Sequence, residues 1–201
     1  MGQLKAPIAA TARHLCIDMQ VLFSNAGPWP TPWMERVLPK AAELTAFAPE
    51  RTIFTRFITP RAPESMPGMW QAYYRKWRQV TRAELPDEML GLMPMLRRFV
   101  PPARIFDKRV YSAFADGRLV EVLRAAGTDT IVVSGSETDV CVLASVLGAV
   151  DHGYRVILAR DAVCSSSDEA HDALLGLYRK RFDIQIELSE SAEILDAWRR
   201  L

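Results

Sequence analysis

No window of this 201-residue sequence approaches the uninterrupted apolar length, about 18 residues, that a membrane-spanning helix needs. The N-terminal run "MGQLKAPIAATARHLCID" has neither a continuous apolar core nor a convincing cleavage site, so a secretory leader is not expected and the sequence reads as cytoplasmic. Excess charge is missing too. Lys+Arg number 25 against Asp+Glu 24, a net charge of +1, with the two signs interspersed rather than blocked. Nucleic acid is therefore excluded as an expected partner. Cysteine is scarce: Cys16, Cys141 and Cys164 form no C-x-x-C and no metal-ligand spacing, which argues against a disulfide framework, a zinc site and a resolving redox pair. His14, His152 and His171 are scattered over different predicted elements, so a Cys/His dyad has no support. Internal repeats and low-complexity tracts are absent.

What remains is a regular alternation. From Arg104 onward, "RIFD", "DTIVVSG", "YRVILARD" and "FDIQIEL" read as strands separated by helical segments, and "SAEILDAWRR" closes the series as a helix. Two earlier strands are expected near "RHLCIDM" and "RTIFTRF", with a helix around "TPWMERVLPKAAELTAF" between them. Strand-helix-strand order of this spacing builds a parallel sheet covered on both faces. The expected fold is α/β, a three-layer α/β/α sandwich with a six-stranded, mainly parallel sheet, as one domain over 1–201. Gly127 and Gly153 stand where helices should stop. Residues 58–101 break the rhythm: they hold six of the 13 prolines together with "GMWQAYYRKW", and predict one helix flanked by loops.

Ligands of open parallel sheets bind beyond the carboxyl ends of the strands. Three chemically capable residues fall at such ends: Asp18 after "HLCI", Lys108 after "RIFD", and Cys141 just past "TIVVSG". Cys141 follows the turn "GSETD" and should lie in the first helical turn, capped by Thr138 or Asp139. There the helix dipole and an ammonium would favour the thiolate and lower its pKa. Taken singly, each residue has a plain structural role available: a packed thiol, a turn carboxylate, a surface amine. Their convergence on one sheet edge favours chemistry. Cys16 reads as core and Cys164 as periphery of the site.

The segments "CIDMQ", "DKRVYSAF" and "SGSETDVCVLASVLGAVDHGYRVILARDAVCSS" resemble the cysteine hydrolases of the isochorismatase-like superfamily, which share a Rossmann-like sheet. The resemblance is closest over residues 104–165. It implies Asp18 as general base, Lys108 as electrostatic partner and Cys141 as nucleophile, cleaving an amide or ureide C–N bond through a thioester. It further implies an oxyanion hole from the backbone N–H groups of Glu137 and Cys141, and a cis peptide at Ser136–Glu137. Nicotinamidases of this superfamily carry a D-x-H metal motif after the second strand, whereas this chain reads "FTRFITPRAP". Neither a metal nor any other cofactor is expected. Isochorismatases proper lack the nucleophilic cysteine, so Cys141 argues against vinyl-ether hydrolysis.

The resemblance leaves the small-molecule substrate open. Arg56, Arg61, Trp70, Tyr73, Tyr74 and Trp77 are candidate pocket residues, and the Glu137 carboxylate could meet substrate or an arginine. The aromatic stripe is first a helix packing face, otherwise a pocket wall or a contact in the expected homo-oligomer. A non-catalytic binding or scaffold protein that keeps the hydrolase fold is the competing class.

Overall fold

The computed structural model describes residues 4–199. Six strands, β1 (Arg13–Ile17), β2 (Thr52–Phe57), β3 (Arg104–Lys108), β4 (Thr130–Ser136), β5 (Arg155–Cys164) and β6 (Ile186–Ser189), form one sheet in the order β3-β2-β1-β4-β5-β6. Every neighbouring pair is parallel, so the sheet is wholly rather than mainly parallel.

The alternation of side chains along each strand sorts the core into two faces. Leu15 and Ile17 of β1, with Ile131 and Val133 of β4, point to a cluster that takes Leu119, Val120 and Leu123 from α4 (Arg118–Ala125), Val146 and Ala149 from α5 (Leu143–Asp151), and Leu174 and Tyr178 from α6 (Asp168–Arg181). Residues of opposite parity, Cys16, Phe54, Val132 and Ile157, face the other way. They meet α1 (Met34–Phe47), which buries Met34, Val37, Leu38, Ala41 and Leu44 at helical spacing, and α7 (Ser191–Arg199). The helix expected over "SAEILDAWRR" is thus seen as far as Arg199, and Arg200 lies outside the described residues, as do the first three residues of the N-terminal run. No helix among the described residues is long and apolar enough to cross a membrane.

Residues 58–101 hold more than the single expected helix. α2 (Met69–Lys76) is joined by a four-residue helix, α3 (Pro94–Arg97), and several 3-10 turns. Pro63, Pro86 and Pro94 each stand at the start of one of these short elements, where a missing backbone N–H is tolerated. Gly127 and Gly153 stop α4 and α5 with positive φ, +62° and +82°. Gly135 has a different reason to be glycine: a Cβ there would stand 2.0 Å from the Ile17 carbonyl oxygen. β1 and β4 therefore approach more closely at this level than any side chain permits.

Candidate active site

The strand order reverses between β1 and β4, since each leads outward to a different half of the sheet. That junction is where a parallel sheet opens a crevice at its carboxyl edge. Ile17 pairs with Gly135 there, and Phe57 of β2 with Lys108 of β3. The chain leaves β1 at Asp18 with φ +49°, an unusual conformation for a residue with a side chain. The turn aims the carboxylate inward, where it is fully buried.

Asp18 and Lys108 form an ion pair, Nζ to Oδ2 2.6 Å, at 0% and 3% side-chain exposure. The pair is supported on both sides. Thr55 Oγ1 on β2 donates to Asp18 Oδ1 at 2.5 Å and accepts from the Asp18 backbone N–H at 3.1 Å. Lys108 Nζ donates to the Val110 carbonyl at 3.2 Å and lies 4.9 Å from the centre of the Phe57 ring. Gln20, the third residue of the D-x-Q motif, completes the frame: its side chain accepts from Phe57 N at 2.6 Å and donates to Leu90 O at 2.9 Å. An acid and an amine on strands separated by β2 are thus locked in place by backbone contacts.

Cys141 completes the group, 6% exposed and interacting with both partners. Burial opposes the Lys108 ammonium, but Asp18 and the Cys141 sulfur outweigh it and hold its pKa above the ordinary lysine value. Burial, and then Asp18, push the Cys141 thiol well up, with Lys108 only partly offsetting them. This corrects the expected depressed pKa. The helix-terminus argument omitted the desolvation of a sulfur closed off from water and the carboxylate placed beside it.

The turn carrying Cys141 also differs from expectation. Thr138–Val142 is one π-helical turn leading into α5, and the residue before it, Glu137, caps it without a side-chain bond. Thr138 and Asp139 are not caps. Their side chains turn instead toward the β5–α6 connection and the start of α6, Thr138 Oγ1 lying 2.9 Å from His171 Nδ1 and Asp139 Oδ1 accepting from Ser165 Oγ. Glu137 Oε2 accepts from the Ser166 backbone N–H at 2.9 Å and its hydroxyl at 2.5 Å, so serine rather than arginine holds that carboxylate. Three successive residues of the turn are tied to one neighbouring segment. The peptide Ser136–Glu137 is cis, and Ser136 Oγ reaches the Asp18 carbonyl at 3.5 Å. The Glu137 carbonyl accepts from Val140 and Val142 N–H at 3.1 and 3.0 Å.

A cavity of about 40 Å³ opens onto Cys141. Phe23, Trp29, Phe57, Tyr73 and Tyr111 wall it, with Glu137 and Val140. Of Arg56, Arg61, Trp70, Tyr73, Tyr74 and Trp77, only Tyr73 lines it, together with the Glu137 also expected near substrate. Trp70 and Trp77 pack behind, on Tyr111 at 4.8 Å and Trp29 at 5.8 Å between ring centres, and Tyr74 is fully buried. The stripe is thus a packing face with one member in the wall. Arg56 is engaged bidentately by Asp107 at 2.7 and 2.8 Å, and Arg61 lines separate surface depressions. The sequence carries no pointer to Phe23, Trp29 or Thr55, and for Tyr111 the signal is its place in "DKRVYSAF", three residues past Lys108.

Cys16 is core, as expected, with its thiol pushed up to about 12 by burial. Cys164 lines a different cavity, about 140 Å³, with Trp33 and His171. His14 is structural, its Nε2 2.8 Å from Ser134 Oγ. Among the described residues no group of three or more His, Cys, Asp or Glu is arranged to hold a metal ion.

Known proteins share this arrangement of elements. The cysteine hydrolase from Pseudomonas syringae pv. phaseolicola 1448A superposes with a TM-score of 0.80 at 21% identity, covering 100% of this chain and 98% of that one. N-carbamoylsarcosine amidase from Thermoplasma acidophilum gives 0.72 at 20% identity over 90% and 96%. In sequence, the maleamate amidohydrolase of Pseudomonas putida is 33% identical over 97 residues, 48% of this chain and 43% of that protein. The chain thus matches less than half the length of that relative. The sequence model for the isochorismatase domain matches residues 12–190, nearly the whole chain from β1 to the end of β6, and by that match the protein belongs to the isochorismatase family.

Proposed function

We propose that this protein is a cysteine amidohydrolase that cleaves a C–N bond of a small amide or ureide. The observation that carries the reading is the buried Asp18–Lys108 ion pair set against the Cys141 thiol at the carboxyl ends of three parallel strands. A buried ion pair contributes little net stability, so a thiol in contact with one has a chemical use. The related proteins named for amide hydrolysis support the same direction.

In this reading the resting thiol is neutral. As the substrate carbonyl approaches, Sγ attacks carbon and its proton passes to Asp18, so thiolate charge develops only when the carbonyl can take it. Lys108 balances the negative charge in that step. The carbonyl oxygen becomes an oxyanion held by the backbone N–H groups of Glu137 and Cys141. Collapse breaks the C–N bond, Asp18 returns the proton to the departing nitrogen, and a thioester remains. Water, deprotonated by Asp18, then releases the acid and regenerates the thiol. No step is assigned to a metal, because residues 58–61, which follow β2, include no Asp or His where metal-dependent relatives would need donors.

A screen of small amides and ureides for released ammonia tests the proposal, with Cys141→Ala as control. Turnover lost in that variant supports it, together with an acyl adduct on the Cys141 peptide seen by mass spectrometry. Turnover that survives Cys141→Ala overturns it.

A further inference from the structure

The walls of the Cys141 cavity are chemically one-sided. Five aromatic rings line it, and its one acidic side chain is Glu137; no Arg, Lys or His is among the lining residues. Lys108 is not among the lining residues: its ammonium, 4.9 Å from the Phe57 ring centre and beside Cys141, is already paired with Asp18 at 2.6 Å. The exposed Arg109, which acts on the Tyr74 hydroxyl, stands outside the lining. Glu137 uses only Oε2 on Ser166, and Oε1 has no hydrogen bond among the described residues. Glu137 shares the cavity wall with Tyr73 and Tyr111, and its charge adds to the burial that pushes their hydroxyls up.

Such a compartment discriminates by charge. Aromatic faces attract cations, most strongly where water is excluded. A substrate carboxylate would instead lose water and find Glu137 in place of a cationic partner. We propose that the pocket selects a small amide carrying a positive charge, an ammonium seated between the Trp29, Tyr73 and Tyr111 rings and Glu137, over neutral and anionic amides. The inference rests on the amidohydrolase reading for its chemistry, but the charge preference belongs to the pocket and is measurable without turnover.

The test is calorimetric titration of the Cys141→Ala protein with three matched amides. They are 3-(trimethylammonio)propanamide, its uncharged isostere 4,4-dimethylpentanamide, and succinamate, which bears a carboxylate. The cationic amide is expected to bind at least about tenfold tighter than the isostere, with succinamate weakest. In a Cys141→Ala, Glu137→Gln protein the cation-to-isostere ratio should narrow to about threefold or less, a ratio that cancels any general loss of affinity. Equal binding of cation and isostere, tighter binding of succinamate, an unchanged ratio in the Glu137→Gln background, or no binding of any of the three overturns the proposal. Ammonia release by the wild-type protein separates it from the reading beneath. Selective binding of the cation with no turnover of any amide sinks the amidohydrolase assignment while supporting the pocket's preference. Turnover that favours succinamate does the reverse.

Discussion

Two sets of buried polar groups lie a few residues apart along the same central strands. In the middle of the sheet, His14, Cys16 and Ser134 are fully buried and bonded to one another or to Thr52 and Thr45, all of them neutral. At the carboxyl edge, Asp18, Lys108 and Cys141 are almost equally buried but include a full ion pair. Burial pushes the thiol up in both sets. Burial therefore does not single out Cys141. What sets it apart is the carboxylate and the ammonium beside it, which in the proposed mechanism take its proton and balance the charge that results.

The sharpest way to break this contrast is to neutralise the edge. Asp18→Asn should lower turnover by at least about a hundredfold, through loss of proton transfer. It should also destabilise the fold by about 3–5 kcal/mol, because the Lys108 ammonium is left buried without its partner. Adding Lys108→Met should restore much of the melting temperature and none of the activity. Full stability in the single variant would show that the pair is not closed to water. Near-normal turnover would remove Asp18 from the mechanism.

Lys108→Met alone addresses the sulfur. Lys108 is the one group that lowers the thiol pKa, so its removal should move Cys141 alkylation to higher pH. Peptide-resolved iodoacetamide labelling across pH reads this shift directly. In the wild type, Cys141 should react before Cys16 and Cys164 because it is the most exposed of the three, 6% against 0% and 1%, and has Lys108 beside it to offset the thiolate charge; a reversed order would refute that access.

The mid-sheet set should respond to acid rather than to substrate. Burial lowers the His14 pKa to about 3, while the unfolded chain takes up that proton near about 6.5. The stabilisation from this neutral imidazole is complete above about pH 6.5, and is lost as pH falls toward the folded value of about 3. His14→Gln should therefore flatten the drop in melting temperature between pH 7 and pH 4, the readings being about these values. Parallel curves for the two proteins would contradict the assignment.

The smallest effect expected is that of Cys16→Ala. Removing a packed sulfur costs on the order of 1–2 kcal/mol of stability and should leave kcat unchanged, since Cys16 faces α1 rather than the crevice. A large loss of turnover would mean that the two sets are coupled across the sheet.

Much of this was readable from sequence because the chemistry sits at strand ends. A parallel strand ends where its apolar run ends, so Asp18, Lys108 and Cys141 could be placed on one edge without knowing any distance. Trp29 and Phe23 could not, because they reach the pocket from an irregular segment whose path depends on tertiary contacts. Thr138 and Asp139 were misread for a related reason. Each is a good cap in isolation, but His171 and Ser165, far along the chain, offer their side chains other partners. The thiol's direction of shift was missed because sequence shows which charges are near but not how much water is removed.

Gly135 gives the geometry its permanence. Two strands pressed together where no methyl group would fit set, in the proposed mechanism, the spacing between base and nucleophile at the carboxyl edge of the sheet, whereas Trp29 and Tyr73 come to the same cavity from an irregular segment and from α2. The lining of the pocket can therefore be rebuilt residue by residue, by evolution or by design, without retuning the reacting atoms. Even one carbon added at position 135 should disturb chemistry on every substrate alike.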